Sequence, residues 1–348
     1  MFYILYNFKD MKLFNRAVVI LMSTACLIFA SCKTMALNAV SSGLAGSDKK
    51  GVPAKVKPDA PDPMMAFMGE EDPVIVKEVL PTLVKIYEIM HIENPSHQGN
   101  TIMCGTLNVM YANLCVQQDA DAMTDPRLLD MQVEEYNRAK YHYLKGRDLI
   151  FSCFEERWPG FTKAILGSDE EAYKKMAAKI TANDVTAAYW ACAGFFASFA
   201  LDPLDSDAIG CLKGHLAILE RAAELAPEYS NGSIWDVMCQ VYAAAPMDFG
   251  GDMDRAVFCY NKAQEVAKGK SAGLYLTYAE TFCKPEGDKK AFVDALEKAL
   301  AIDPKADPSN TLMTVISQKK AKRLMAHLDD YFIDWGDEED EENSSDFE

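Results

Sequence analysis

Two nine-residue stretches, LERAAELAP at 219–227 and LEKALAIDP at 296–304, share the same spacing of an apolar residue, an alanine and a proline. The stretch YNKAQEVAK at 260–268 repeats the first two positions and has lysine where the proline would stand. In arrays of helical repeats, a small residue marks the place where two helices touch, and a proline ends the second helix. The spacing therefore predicts helix hairpins, and a non-repeating helical bundle is the alternative.

The alanines within these stretches, Ala222, Ala263 and Ala299, are 41 and 36 residues apart. Phe154 and Pro159 keep the same five-residue step earlier in the chain. Tetratricopeptide (TPR) units are about 34 residues long, and each buries its apolar face on its neighbours. We therefore predict an all-α fold, a TPR-like helix-hairpin array with degenerate repeats.

The rest of the body also has helical patterns, because no segment after residue 64 alternates with the period of a strand. Long helices are expected, one of them with a break at Gly146. The predicted helices are 72–92, 100–122, 128–157, 169–179 and 182–201. Three hairpins are expected to follow: 207–225 with 232–244, 252–267 with 272–282, and 289–302 with 310–333.

The amino terminus is typical of an export signal. Basic residues precede an apolar run at 17–30, which is too short to span a bilayer comfortably. Small residues end the run directly before Cys32, as in a bacterial lipobox, where the cysteine is acylated after cleavage. We predict a lipoprotein signal peptide at 1–31, with translation starting at Met11. A plain secretory signal with a chance cysteine and an uncleaved anchor are the alternatives.

The remaining segments differ in composition. Residues 32–63 are rich in Gly, Ser, Lys and Pro and are predicted to be a lipidated, flexible tether. Residues 64–333 are predicted to be the helical domain. Residues 334–348 contain nine acidic residues and no basic residue, which predicts a disordered acidic tail. The body is therefore expected in the periplasm, anchored to the inner or outer membrane by its lipid.

Charge and motifs argue against several functions. The net charge of −17 excludes broad contact with nucleic acid, which needs clustered Lys and Arg. Five scattered histidines form no HExxH pair, and no complete P-loop, kinase or GxSxG motif is present. We therefore predict no enzyme activity, no metal and no cofactor, and a hydrolase would need a perturbed Cys or His. The eight cysteines of the body are expected to be mostly reduced and buried.

Aromatic residues supply the candidate site. Tyr189 and Trp190 begin a run to residue 199 that is apolar almost all round, so it is expected in the core, in a ligand wall or in a subunit contact. Trp235 lies on a helix that mixes polar and apolar residues, and the same alternative interpretations apply to it. The candidate pore or partner-binding residues are Tyr189, Trp190, Trp235 and Asp236.

The order of motifs between about 33 and 333 resembles the T component of TRAP-type transporters (TatT). No single motif is specific to this family, but the whole set of motifs in this order is. The matching pieces are Asp72-Pro73, Leu80-Pro81, Tyr189-Trp190, Glu220-Arg221-Ala222, Gly250-Gly251-Asp252, Leu300 to Pro304, and Gln318 to Ala321. Trp235 is a departure, because family members often carry His after the glycine.

The resemblance implies a periplasmic lipoprotein that forms a homotrimer around a central pore. Such a protein binds the solute-binding P component of a TRAP transporter and helps to pass a small, apolar organic ligand to it. A generic TPR adaptor for envelope protein assembly is the alternative. The two differ in their partner, a solute-binding protein or an assembly machine.

Overall fold

The computed structural model describes residues 65–332, which form helices and contain no strand. The all-α prediction is therefore confirmed for this part of the chain. The signal peptide predicted at 1–31, the acylation site at Cys32, the tether at 32–63 and the tail at 334–348 lie outside the described residues.

Twelve α-helices of five residues or more lie within 65–332, joined by short connections. They are α1 Pro73–Glu93, α2 Gln98–Tyr111, α3 Leu129–Arg157, α4 Phe161–Ile165, α5 Glu170–Ala177, α6 Val185–Leu201, α7 Ser206–Leu225, α8 Ser233–Ala244, α9 Met253–Ala267, α10 Ala272–Tyr278, α11 Lys289–Leu300 and α12 Thr311–Ala326. The π-helical turns Ala112–Gln117 and Ala279–Cys283 extend α2 and α10. Only α4 lies outside the predicted helices.

Aspartate side chains cap several of these helices. A carboxylate oxygen of Asp72 accepts a hydrogen bond from the Val74 amide at 2.9 Å, and Pro73 occupies the first helical position. Asp252 accepts from the Arg255 amide at 3.0 Å in the same way. Each cap satisfies an amide that the helix itself leaves unpaired, which stabilises the helix by about 1 kcal/mol. The predicted start of α1 is confirmed.

Gly146 does not break its helix, because α3 runs unbroken from Leu129 to Arg157. A Cβ atom at Gly146 would lie 2.6 Å from the carbonyl oxygen of Gly105 in α2, and one at Gly105 would lie 2.7 Å from that of Gly146. Neither glycine could be replaced by a residue with a side chain without moving the backbone of the facing helix. The predicted break is wrong, and the glycine instead lets α2 and α3 approach closely.

The prediction joined α7 to α8, α9 to α10 and α11 to α12, and the first two of these pairs are one position out of step. The third predicted pair is in contact. In the structure α8 packs most extensively on α9, and α6 packs on α7 far more than α7 packs on α8. Helix α11 packs on both α10 and α12. The alanine–proline pattern therefore marks the second helix of each pair. The TPR-like form of these pairs stays a prediction.

The three patterned alanines are fully buried, as expected for close helix crossings. Ala222, Ala263 and Ala299 lie on α7, α9 and α11 and expose none of their surface. A Cβ at Gly232, directly before α8, would lie 3.1 Å from the Cα of Ala263. The backbone therefore leaves no room for a larger side chain at this crossing.

We expect Ala263→Leu to lower the free energy of unfolding by about 1–3 kcal/mol, because the added methyl groups overpack the contact with Gly232. Urea unfolding followed by circular dichroism measures this loss. Asn261→Leu is the matched control, because Asn261 is exposed on the same helix. Equal stabilities of the two variants would contradict the crossing.

The last long helix, α12, packs against the first, α1. Leu312 of α12 belongs to one buried cluster with Val76 and Leu80 of α1. Before α12, Lys305 Nζ lies 3.1 Å from Glu71 Oε1, just ahead of α1. The described chain therefore closes on itself instead of ending in an open array.

Helix α6 lies at the centre of the core. Its side chains Ala188, Cys192 and Phe195 are buried in the largest apolar cluster, and Trp190 packs against both this cluster and the one around α1. Within 65–332, the segment Ala182–Leu201 is the one helix long and apolar enough to cross a membrane, and 61% of it is buried. The core interpretation therefore holds for most of the run at 189–199, because most of its apolar surface is buried within the protomer.

Candidate functional site

The first helices of successive pairs follow one another in space: α6 contacts α8, α8 contacts α10, and α10 contacts α12. Five polar side chains occupy the contacts among α8, α10 and α12. We call them the polar row: Asp236, Gln240, Thr277, Glu280 and Lys320. The row places charged and hydrogen-bonding groups on helices that otherwise pack through apolar residues.

Thr277 is the centre of the first half of the row. Its hydroxyl donates to Oδ1 of Asp236 at 2.8 Å and accepts from Nε2 of Gln240 at 3.4 Å. Thr277 is buried, whereas Asp236 is half-buried and Gln240 is exposed. The hydroxyl therefore joins α8 to α10 and holds the Asp236 carboxylate in one orientation.

Glu280 and Lys320 form the second half. Lys320 Nζ donates to Glu280 Oε2 at 2.6 Å, and about a third of each side chain is exposed. Glu280 lies in the π-helical turn Ala279–Cys283, and such turns often occur at functional sites. A partly exposed ion pair contributes little to stability, so these charges remain available to a partner.

Burial raises the pKa of Asp236 above the usual range of an aspartate, while the Thr277 and Gln240 hydrogen bonds and the Lys320 charge oppose this shift. The folded state therefore binds the proton more tightly than the unfolded state. By linkage, the group reduces stability as the pH rises from the unfolded pKa to the folded pKa.

We expect Asp236→Asn to remove this pH-dependent penalty. Stability relative to the wild type should therefore increase as the pH rises above about 4, because the ordinary aspartate pKa lies at about 3.9. Urea unfolding of both proteins at several pH values measures the difference. A difference that does not change with pH would contradict the raised pKa of the Asp236 carboxylate. The comparison cancels the other carboxylates, which titrate in both proteins.

Tyr189 lies near the row. Its ring packs edge-on against Trp190, with centroids 5.5 Å apart, and at a tilt against Tyr229, with centroids 5.2 Å apart. Burial raises the pKa of the Tyr189 phenol, and the charges of Tyr229 and Asp236 add to the shift. Tyr189 and Asp236 are therefore within electrostatic reach, so the structure brings these two predicted residues together.

The Trp235 side chain points away from the polar row, although Trp235 neighbours Asp236 in sequence. Its Nε1 donates to the carbonyl of Pro227 at 2.8 Å, and its ring meets Phe258 edge-on at 6.1 Å. It packs on the cluster that contains Ala263. Successive residues on a helix diverge by about 100°, so Trp235 faces α9 while Asp236 faces α10. Trp235 holds the α8–α9 pair and does not join the polar row.

The sequence interpretation missed Gln240, Thr277, Glu280 and Lys320. Thr277 and Glu280 were detectable as polar residues three apart within the mostly apolar run at 272–283. Lys320 was quoted as part of a motif, but its partner lies 40 residues away. Only the packing of α10 on α12 reveals that pair.

An aromatic cleft of about 250 Å³ lies on another side of α10. Its lining combines three phenol rings with two charged side chains: Tyr260, Tyr275, Tyr278, Ala291, Asp294, Ala295 and Lys298. Tyr260 and Tyr278 lie with ring centroids 5.4 Å apart. Apolar rings with polar edges suit a small organic ligand.

The buried His and Cys side chains do not have the properties of a hydrolase site. His215 stacks on Phe195 at 3.6 Å, and burial with the Arg147 charge lowers its pKa to about 3. Burial raises the pKa of the Cys153 thiol to about 12. The Cys192 thiol contacts the backbone carbonyl of His215. A nucleophilic thiol needs a lowered pKa, so these groups are inert.

The described residues contain no group of three or more His, Cys, Asp or Glu side chains that could hold a metal ion. Their eight cysteines are free thiols, and all but Cys211 are buried, as predicted. The cysteines therefore act as small core residues.

Comparison with known proteins identifies the family. The chain is 36% identical over 312 residues to an uncharacterized protein of Treponema pallidum (strain Nichols), a match that covers 89% of this chain and 96% of that protein. The model of the TRAP transporter T-component family matches residues 69–332, nearly all of the described fold. The chain therefore belongs to the TRAP transporter T-component family.

Proposed function

We propose that this chain is the periplasmic scaffold of a TRAP-type transport system. It forms a homotrimer, docks the solute-binding P component and assists uptake of a small, apolar organic ligand, without catalysis. The family match supports association with a TRAP system. The polar row is the observation that carries the docking step, because its charged side chains are partly exposed and held in place by neighbouring helices.

Docking through the row has a clear physical basis. Breaking the ion pair between Lys320 and Glu280 costs little free energy, because a partly exposed ion pair is weak. Both side chains can therefore pair with charges of the partner instead. Charged groups on rigid helices set the register and rate of association. The aromatic cleft on another side of α10 offers the chemistry for an organic ligand that passes to the partner.

The test is affinity capture of the tagged chain from the bacterial envelope. We expect wild type to recover a TRAP solute-binding protein and Lys320→Glu to recover several-fold less. Lys174→Glu is the matched control, because Lys174 carries the same charge in an exposed pair on α5. Full recovery by Lys320→Glu would show that docking occurs elsewhere. Recovery of an envelope assembly machine instead of a solute-binding protein would favour the generic adaptor.

We further propose that a lipid on Cys32 alone holds the protein to the membrane. Cys32→Ala is expected to abolish incorporation of labelled fatty acid and to leave a soluble or unprocessed precursor, because the thiol is the acylation site. Metabolic labelling followed by membrane fractionation measures both effects. A wild-type protein that takes up no label would contradict the anchor.

A further inference from the structure

Helix α1 has two apolar faces, of which only one is used within the described chain. The inner face packs in the core through Val76, Leu80, Val84, Tyr87 and Met90, which are all buried. A second row on the same helix faces solvent. We call it the outer seam: Ile75, Val79, Thr82, Ile86 and Ile89.

The outer seam is exposed along its whole length. Its four aliphatic side chains retain between 41% and 61% of their surface. Two further exposed aliphatic residues, Val74 and Ile92, flank it. Together they place six exposed aliphatic side chains along one helix, and contiguous exposed apolar patches often mark interaction sites. Single exposed leucines need no explanation, but an ordered row of this kind does.

The spacing of the outer seam identifies its occupant. The positions 75, 79, 82, 86 and 89 alternate steps of four and three residues, which is the heptad pattern of a coiled coil. This pattern fits another helix with the same spacing, and a second copy of α1 has it. At the last two positions of the seam, Ile86 and Ile89, isoleucine occupies both core positions of the heptad, a combination that favours three or four strands over two.

Other occupants fit less well. An anionic membrane surface would be repelled by the acidic chain, whose net charge is −17. The chain's own segment at 33–63 is rich in Gly, Ser, Lys and Pro and has no sustained heptad pattern.

We propose that three copies of this chain associate in parallel through the outer seam of α1. This inference rests on the proposed homotrimer and assigns its contact surface. Three seams would meet around one axis, so that Ile86 and Ile89 of each copy contact the same residues of the others. The association would cover the apolar row that residues 65–332 leave exposed.

The test is sedimentation of residues 33–348, which include every described residue. Wild type should sediment at three times the protomer mass at micromolar concentration. Ile86→Lys with Ile89→Lys should sediment as a monomer. Leu204→Lys with Met247→Lys is the matched control, since these side chains are 89% and 87% exposed and lie far from α1 in sequence. Unchanged circular dichroism and thermal midpoint show that the variants fold.

A second readout tests the parallel arrangement. Ile86→Cys should form a disulfide between two copies on mild oxidation, whereas Leu204→Cys should not. The native body cysteines interfere little, because all but Cys211 are buried.

The outcomes separate this inference from the proposed function. A trimer that persists in the seam variant would overturn the seam and leave the trimer intact. A monomeric wild type would overturn self-association, while binding of the solute-binding protein by that monomer would leave docking intact. A seam variant that stays trimeric but no longer binds the solute-binding protein would assign the seam to that partner instead.

Discussion

Gly146→Leu is expected to lower the free energy of unfolding by about 4 kcal/mol or more, among the largest effects of a single substitution. Even the first added carbon would lie 2.6 Å from both the Gly105 carbonyl oxygen and a methyl group of Val109. Relief would require α2 and α3 to move apart along their extensive contact. Gly194 of α6 approaches Val109 as closely, so the disturbance would reach a third helix.

Gly210→Ala is the matched control for this prediction. Gly210 is an exposed residue of α7, and a Cβ there would meet no atom within 4 Å. Alanine in place of glycine in an open helix stabilises by about 0.5–1 kcal/mol, so the control should shift the thermal midpoint upward. Differential scanning calorimetry measures both variants. If Gly146→Leu unfolds at the wild-type temperature, the close crossing of α2 and α3 is wrong.

Asp184→Ala is expected to cost about 3–5 kcal/mol, because it leaves a buried arginine without its counter-charge. Arg157 Nη1 donates to Asp184 Oδ1 at 2.6 Å, and the two side chains are 9% and 4% exposed. The guanidinium lies 4.5 Å from the centre of the Trp158 ring. The other Asp184 oxygen accepts from the backbone and hydroxyl of Thr181, so the substitution also removes a helix cap.

Glu170→Ala provides the matched comparison. Glu170 pairs with Lys174 on α5, and these side chains are 65% and 62% exposed. Loss of an exposed pair of this kind changes stability very little, because solvent screens both charges. Urea unfolding at neutral pH measures both variants. A double variant with Arg157→Met and Asp184→Ala should recover part of the loss, because no charge remains buried. Equal costs for Asp184→Ala and Glu170→Ala would contradict the buried pair.

Local features of the fold were predictable from sequence. Asp72 and Pro73 mark the start of α1 because capping depends on residues within one turn. The spacing around Ala222 and Ala299 located two crossings because the small residue and the helix end lie close in sequence.

Features set by distant contacts were not predictable. Gly146 was interpreted as a break because glycine has a low helix propensity. This local signal is the same whether the glycine ends a helix or lets a neighbouring helix approach closely. The pairing of α8 with α9 was missed because the alanine–proline pattern shows where a pair ends, and not which helix begins it.

The candidate site shows the same limit. Tyr189 and Asp236 were predicted as candidate residues and interact electrostatically in the fold, but Thr277 is 41 residues from Asp236, and no local pattern joins them. The sequence left core, ligand-wall and subunit-contact interpretations open for the apolar run at 189–199, and α6 buries most of it within the protomer. An ordered row of exposed apolar residues lies on α1, where an inner and an outer apolar face share one helix.

The central claim is that this T-component is a scaffold that docks a solute-binding protein. Sedimentation velocity of residues 33–348, mixed with the purified solute-binding protein of the same transport system, tests it most directly. We predict a species heavier than either protein alone, containing both. Two proteins that sediment in the mixture as each does alone, over micromolar concentrations, would contradict the claim.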